Sequence, residues 1–236
     1  ALVPKNLTGV FVKALAAYLM ILSALWGVSA RASSSGIPVF SENVPESFRL
    51  YLTSALAELY SVKGEAGTVL HKKIFGGAAT GETYRKWFSE RVQRIEMKND
   101  GCGYAARVDS AGPAGVIYIS SCVNQNVGPE SKVYWLSVLF HEARHLEFEA
   151  RHVDAKNKHW HHDVVADSSG MAMAYDRSPM GAYGVEKVFA FNLAKFCDNC
   201  SVEFKQQAND VFEDATNWRK ISPEAARVLS LDANSN

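Results

Sequence analysis

Two histidines four residues apart, with a glutamate beside the first, are the strongest chemical signal in the chain: His141-Glu142-Ala143-Arg144-His145. On a helix, positions i and i+4 share a face. The two imidazoles can therefore converge on one metal ion, and neutral imidazole suits zinc. A zinc ion makes a water that it holds acidic. Glu142, next to the first histidine, is placed to accept that water's proton as general base. This is the H-E-x-x-H arrangement of zinc-dependent hydrolysis. The plain alternative is a solvated helix face carrying two ordinary histidines, and the charged Arg144 and Glu147 within and just after the motif speak for it.

A catalytic zinc takes three protein ligands and keeps a position open for water. His152 is the first candidate for the third ligand. If the helix continues past His145, His152 stays on the same face but roughly 10 Å further along the axis, out of reach. A chain turn near Phe148 would bring it back, and no glycine is there to ease one. Glu186 and Asp176 are the alternatives, with Asp163, Asp167, His159, His161 and His162 as further donors of the right type. Tyr183, and more weakly Tyr175, is a candidate to donate a hydrogen bond to the oxyanion of a tetrahedral intermediate. For both, the ordinary alternative is a half-buried structural tyrosine. Gly181 and Gly184 flank Tyr183 and mark either a tight backbone approach near the site or a simple helix entry.

These groups need elements to position them. The motif helix starts near Lys132, and Tyr134, Trp135, Leu136, Val138, Leu139 and Phe140 make it apolar nearly all round before His141, so its first half is expected to be buried. Pro45–Val62 carries Phe48, Leu52, Ala55 and Leu59 at helical spacing. Gly81–Lys98 reads as a second helix with charge on one side. Gly103–Val108 and Val116–Ser121 are strand-like runs around the turn signal Asp109–Gly115. Val164–Tyr175 reads as helical, with Met171 and Met173 as core packing. Tyr183–Phe196 and Ser201–Lys220 predict two more helices, and Pro223–Leu231 a short last one. The sum is an α+β fold, mostly helical, with a small antiparallel hairpin beside the motif helix.

Composition narrows the class. At 47% hydrophobic and 21% charged, the 236 residues are globular rather than disordered. Lys plus Arg equals Asp plus Glu at 25 each, which gives no basic footprint for nucleic acid. Lys5 and Lys13 are the only charges before Arg31; the apolar run Ala14–Val28 and the small-x-small Ala30-Arg31-Ala32 follow. That pattern predicts a secretory signal peptide over residues 1–32. The run is shorter than the roughly 20 residues that span a bilayer, so a membrane anchor is the second reading and a buried helix the third. The expectation is a secreted or periplasmic protein without a stable membrane span, forming one domain over residues 33–236. After export an even count of cysteines favours disulfides. Cys102 falls opposite Cys122 if the hairpin is symmetric about Gly112, and a bridge there contributes roughly 3 kcal/mol. Cys197-Asp198-Asn199-Cys200 suits a tight local disulfide; a redox pair or half a zinc knuckle are its alternatives, and no second C-x-x-C exists to complete a four-cysteine zinc site.

The motif segment resembles the zincin metallopeptidases, whose active-site helix carries H-E-x-x-H beneath a small sheet. His141 and His145 match their two zinc ligands and Glu142 their general base. It is similar, more narrowly, to a group of exported bacterial proteins in which H-E-x-R-H precedes a His-Val, an Asp and a Gly-Ala-Tyr-Gly. Here these are His152-Val153, Asp176 and Gly181-Ala182-Tyr183-Gly184. The resemblance spans residues 133–192 and tilts the third ligand towards His152. Metzincins place a third histidine six after the second, with a glycine between and a methionine turn downstream. Here the gap is seven, Phe148 or Glu149 stands in the glycine's place, and Met173-Ala174-Tyr175 is a faint echo of the turn. Gluzincins use a downstream glutamate, which would be Glu186. The resemblance implies a zincin-like domain, Zn2+ as cofactor, and hydrolysis of the amide bond of a peptide or protein substrate. The rival from another class is a non-catalytic module that binds a cell-envelope partner, with a structural metal or none.

Overall fold

The computed structural model describes residues 36–99, 101, 103–109, 112–122, 132–151, 163–166 and 172–235, with backbone alone for 148–151, 163–166, 172–175 and 215–216. The expected signal peptide, Cys102, His152, the histidines at 159, 161 and 162, Asp167 and Met171 lie outside the described residues. In chain order the elements are β1 (Val39–Phe40), α1 (Glu46–Tyr60), α2 (Val69–Phe75), α3 (Gly81–Ser89), β2 (Arg94–Lys98), β3 (Ala106–Arg107) and β4 (Val116–Ser120). There follow α4 (Lys132–Arg151), β5 (Asp163–Ala166), β6 (Ala172–Tyr175), α5 (Ala182–Phe196), α6 (Val202–Glu213), α7 (Ala215–Trp218) and α8 (Pro223–Asn234). The fold is α+β and mostly helical. No described helix is long and apolar enough to cross a membrane.

Side-chain caps set several helix starts. Thr68, Thr80, Ser201 and Ser222 each accept a hydrogen bond from a backbone N–H in the first turn of α2, α3, α6 and α8, filling donors that a helix otherwise leaves open. Gly76, at φ +83°, ends α2 in the left-handed conformation. The expected helix Ser201–Lys220 breaks at Asp214 into α6 and α7. The buried Lys187 explains the break. Its Nζ donates to the carbonyls of Val211, Phe212 and Asp214 at 2.8, 2.6 and 3.0 Å, so a cation closes the C-terminal end of α6.

Three further expectations are corrected. The single helix over Gly81–Lys98 ends at Ser89, and Arg94–Lys98 is a strand held on both sides, by β1 and by β4. Val92 and Ile95 also fit helical spacing, but ladder pairing on two edges outweighs so weak a local preference. The sheet is mixed rather than antiparallel. Its order is β1-β2-β4-β3, with β1, β2 and β4 parallel and only β3 antiparallel to β4. The β3–β4 hairpin pairs Ala106 with Ile119 and Arg107 with Tyr118, one residue off from symmetry about Gly112. Finally, the described parts of Val164–Tyr175 belong to the antiparallel strands β5 and β6 instead of a helix, in keeping with the β-branched Val164-Val165.

Cys197 and Cys200 form the expected local disulfide, with Cα atoms 5.6 Å apart. Cys122 is also disulfide-bonded.

Candidate functional site

Helix α4 lies at the centre of the fold, packed against α1, α5 and α6 and against β3 and β4. Leu136, Leu139, Phe140 and Ala143 are wholly buried on it. The Phe140 ring stacks on Phe189, Phe88 and Trp87 at centroid distances of 4.4, 5.2 and 5.3 Å. This aromatic anchor immediately precedes His141 and fixes the helix rotation, which decides where the motif points. His141, Glu142 and Arg144 are all buried.

The imidazoles of His141 and His145 have centroids 5.1 Å apart with ring planes at 69°. Two imidazoles sharing one tetrahedral zinc through bonds of about 2 Å have centroids about 5 Å apart, so the pair fits the donor chemistry of a zinc site. Among the described residues no group of three His, Cys, Asp or Glu side chains is gathered to hold a metal. The helix runs unbroken to Arg151, without the turn near Phe148 that would return His152 to the pair, and His152 itself lies outside the described residues.

A cavity of about 410 Å³ opens beside the motif, lined by Tyr104, His141, Glu142, Tyr183, Glu186 and Lys220 among others; His145 is outside the lining. Burial raises the Glu142 carboxyl well above the usual carboxylate range; a hydrogen bond from the Val108 backbone N–H, just past β3, opposes this, and the negative charge of Glu186 adds to it. Tyr183 lies edge-on to His141, ring centroids 4.5 Å apart, and Lys220 Nζ sits 4.8 Å from the Tyr183 ring centroid. Burial first, then Glu186, Asp176 and Glu142, raise the Tyr183 hydroxyl's pKa, so it stays a proton donor.

Helix α5 brings Tyr183 and Glu186 to this place, and its start is tightly built. Asp176 accepts a hydrogen bond from the Tyr183 N–H at 2.7 Å, so this candidate ligand caps α5 with its carboxylate. A Cβ on Gly181 would overlap the Asp176 carboxylate, and one on Gly184 would overlap the backbone carbonyl of Pro179. The two glycines thus mark close approach. Arg144 secures the same turn from the motif helix: its Nε donates to the Met180 carbonyl at 2.9 Å, and its guanidinium pairs with Glu147.

Glu186 Oε2 lies 3.3 Å from His141 Nδ1. Asn217 Nδ2 donates to Oε1 at 2.7 Å, and Ser137 Oγ lies 3.4 Å from that same oxygen. Sequence reasoning found His141, Glu142, His145, Tyr183 and Glu186, and the structure places all five on the adjoining helices α4 and α5. It missed Ser137, Asn217, Lys220 and the Val108 N–H. Ser137 stands one turn before His141 and was findable from its spacing; the other three reach the site from remote segments and leave no local signal. Compared with protein-family models, with curated proteins and with solved structures, the chain matches none of them.

Proposed function

We propose that the chain is an exported zinc-dependent hydrolase that cleaves amide bonds in a peptide or protein substrate. The observation that carries this reading is the spacing of the His141 and His145 imidazoles on one helix, 5.1 Å between centroids, with Glu142 buried beside them. His141 and His145 would hold the ion, with a third donor from the segment 152–162; the unbroken helix to Arg151 counts against His152 and leaves the histidines at 159, 161 and 162 as the donors of the right type. When bound, zinc supplies Lewis acidity to the carbonyl under attack and to the attacking water. Glu142 takes the water's proton at its carboxylate and passes it to the leaving amine. A carboxyl whose proton affinity is raised by burial suits both halves of that task. The Tyr183 hydroxyl, kept protonated by burial and by three nearby carboxylates, donates to the oxygen on which negative charge develops. The pairing of Cys197 with Cys200 accords with an oxidising compartment outside the cytoplasm.

A second reading is a binding module without catalysis. Glu142→Ala separates it from the first reading: an enzyme keeps its metal and loses turnover, and a binding module is indifferent to the change. Metal content by elemental mass spectrometry, on the purified protein and on a variant with His141→Ala and His145→Ala, tests the first reading. About one zinc per chain in the parent and none in the variant is expected. A parent that takes up no stoichiometric metal after reloading with zinc at neutral pH sinks the hydrolase and leaves the binding module.

A further inference from the structure

We propose that Glu186 is a positioning residue that sets the tautomer of His141: it holds the proton on Nδ1 and leaves Nε2 as the atom offered to a cation. This rests on the zinc reading of the same site and assigns Glu186 a place outside the ligand set. Imidazole has nitrogens on opposite sides of the ring, and a partner on one decides what the other presents. Glu186 Oε2 stands on the Nδ1 side at 3.3 Å, within ion-pair distance and about a tenth of an ångström beyond the usual N–H···O range of about 2.7–3.2 Å, so a small side-chain shift closes the bond. Its other oxygen is already engaged by Asn217 at 2.7 Å, with Ser137 Oγ at 3.4 Å. The glutamate is almost wholly buried, 5% exposed at the side chain. A buried carboxylate with both oxygens directed at polar groups of the protein is the usual partner of a ligating histidine, on the ring edge away from the metal.

The support behind Glu186 is rigid for a structural reason. Its neighbour Lys187 grips the carbonyls of Val211, Phe212 and Asp214. Trp218 Nε1 donates to the Phe212 carbonyl at 2.8 Å. Between these two fastenings lies Asn217, whose amide holds Glu186. Two successive residues of α5 thus clamp the α6–α7 turn, and the turn in return fixes the carboxylate that faces His141.

Ring nitrogen shifts and long-range proton–nitrogen couplings of His141, in uniformly 15N-labelled protein, report the tautomer directly. They are read in mildly alkaline solution, without and with one equivalent of zinc. The expected pattern is a proton on Nδ1 in both states and zinc on Nε2 in the second. Glu186→Ala should weaken zinc binding on the order of 10- to 100-fold with the stoichiometry kept, and Glu186→Gln, whose amide oxygen can accept the Nδ1 proton once the Asn217 amide turns its oxygen to the new NH2, should recover part of that loss. Zinc on Nδ1, or a coordination shell that loses an oxygen by X-ray absorption in Glu186→Gln, would make Glu186 a ligand and overturn the proposal. If the parent binds no zinc, the hydrolase reading fails by itself and the metal-free tautomer still decides: a proton on Nδ1 supports the positioning role, and a proton on Nε2 refutes it.

Discussion

Arg144 Nε donates to the backbone carbonyl of Met180 across 2.9 Å, tying the motif helix to the turn from which α5 starts. The guanidinium also pairs with Glu147, which Arg91 holds from the other side at 2.9 Å. All three side chains are at most 12% exposed. Removing one partner from such a network leaves the others without compensation. Arg144→Leu should cost about 3 kcal/mol in urea unfolding, near the low end for a broken buried pair. Arg144→Lys, which keeps the charge but lacks the planar fork, should fall between. A leucine variant within about 0.5 kcal/mol of the parent, the range of a neutral surface change, would show that the contact carries no weight.

Gly184 gives a prediction whose sign opposes helix propensity. It lies inside α5, where alanine for glycine ordinarily gains about 1 kcal/mol. The added Cβ would meet the Pro179 carbonyl, which is backbone and cannot swing aside. Gly184→Ala should therefore destabilise by about 1–3 kcal/mol, as overpacking does. It should also displace the Pro179–Gly181 turn, and with it Tyr183. Thermal unfolding decides: a higher midpoint in the variant would mean that the turn yields and the glycine is there for other reasons.

His71 provides a pH signature away from the site. It is fully buried; Nδ1 lies 3.0 Å from the Gly77 carbonyl and Nε2 3.0 Å from the Tyr84 hydroxyl. That pairing fits the neutral ring, with the Gly77 carbonyl accepting from Nδ1 and the Tyr84 hydroxyl donating to Nε2. Burial lowers its pKa to about 4; the Gly77 bond opposes this and the Lys72 charge adds to it. In the unfolded chain an imidazole takes its proton near pH 6.5. Between the two values the unfolded state binds more protons, so this group's contribution is present above about pH 6.5 and is lost as pH falls through about 4. Chemical denaturation across that window should show the loss in the parent. His71→Gln should be less stable at neutral pH but flatter from pH 6.5 to 4. Parallel profiles would show that His71 is not the group being titrated.

The motif was legible because helical spacing and apolar surroundings both act locally: Phe140 beside His141 already placed the histidines on a buried helix. Arg144 was read the wrong way. Its charge inside the motif argued for a solvated face, yet the side chain is 4% exposed and bound to Met180. The partner is a backbone carbonyl far along the chain, and no residue type signals it. Arg94–Lys98 misled for a similar reason, since its strand conformation comes from neighbours on both edges. Glu186 was recognised as a candidate, but the Asn217 that fixes it sits in an otherwise plain polar stretch. Residues that act through their own helix could be read; those defined by what another segment brings could not.

Glu142 joins stability to chemistry, and one substitution tests both. Its carboxyl, buried on α4, binds its proton more tightly in the folded protein than in the unfolded chain. The folded state is therefore favoured at low pH, and this favour is lost as pH rises from the unfolded carboxyl value of about 4.3 towards the raised folded one. Glutamine is neutral at every pH and offers the Val108 N–H the same acceptor. Metal-free Glu142→Gln should accordingly be more stable than the metal-free parent at neutral pH, and the difference should vanish towards pH 4. If Glu142 is the general base, the same variant keeps its zinc and loses turnover on the order of 10²- to 10⁴-fold. A gain in stability without loss of turnover would leave a buried acid with no part in catalysis. A less stable variant at neutral pH would mean that the carboxylate is a satisfied anion, contrary to its burial. The two losses together, stability in the parent and turnover in the variant, are what a site that keeps a strained acid for its chemistry should show.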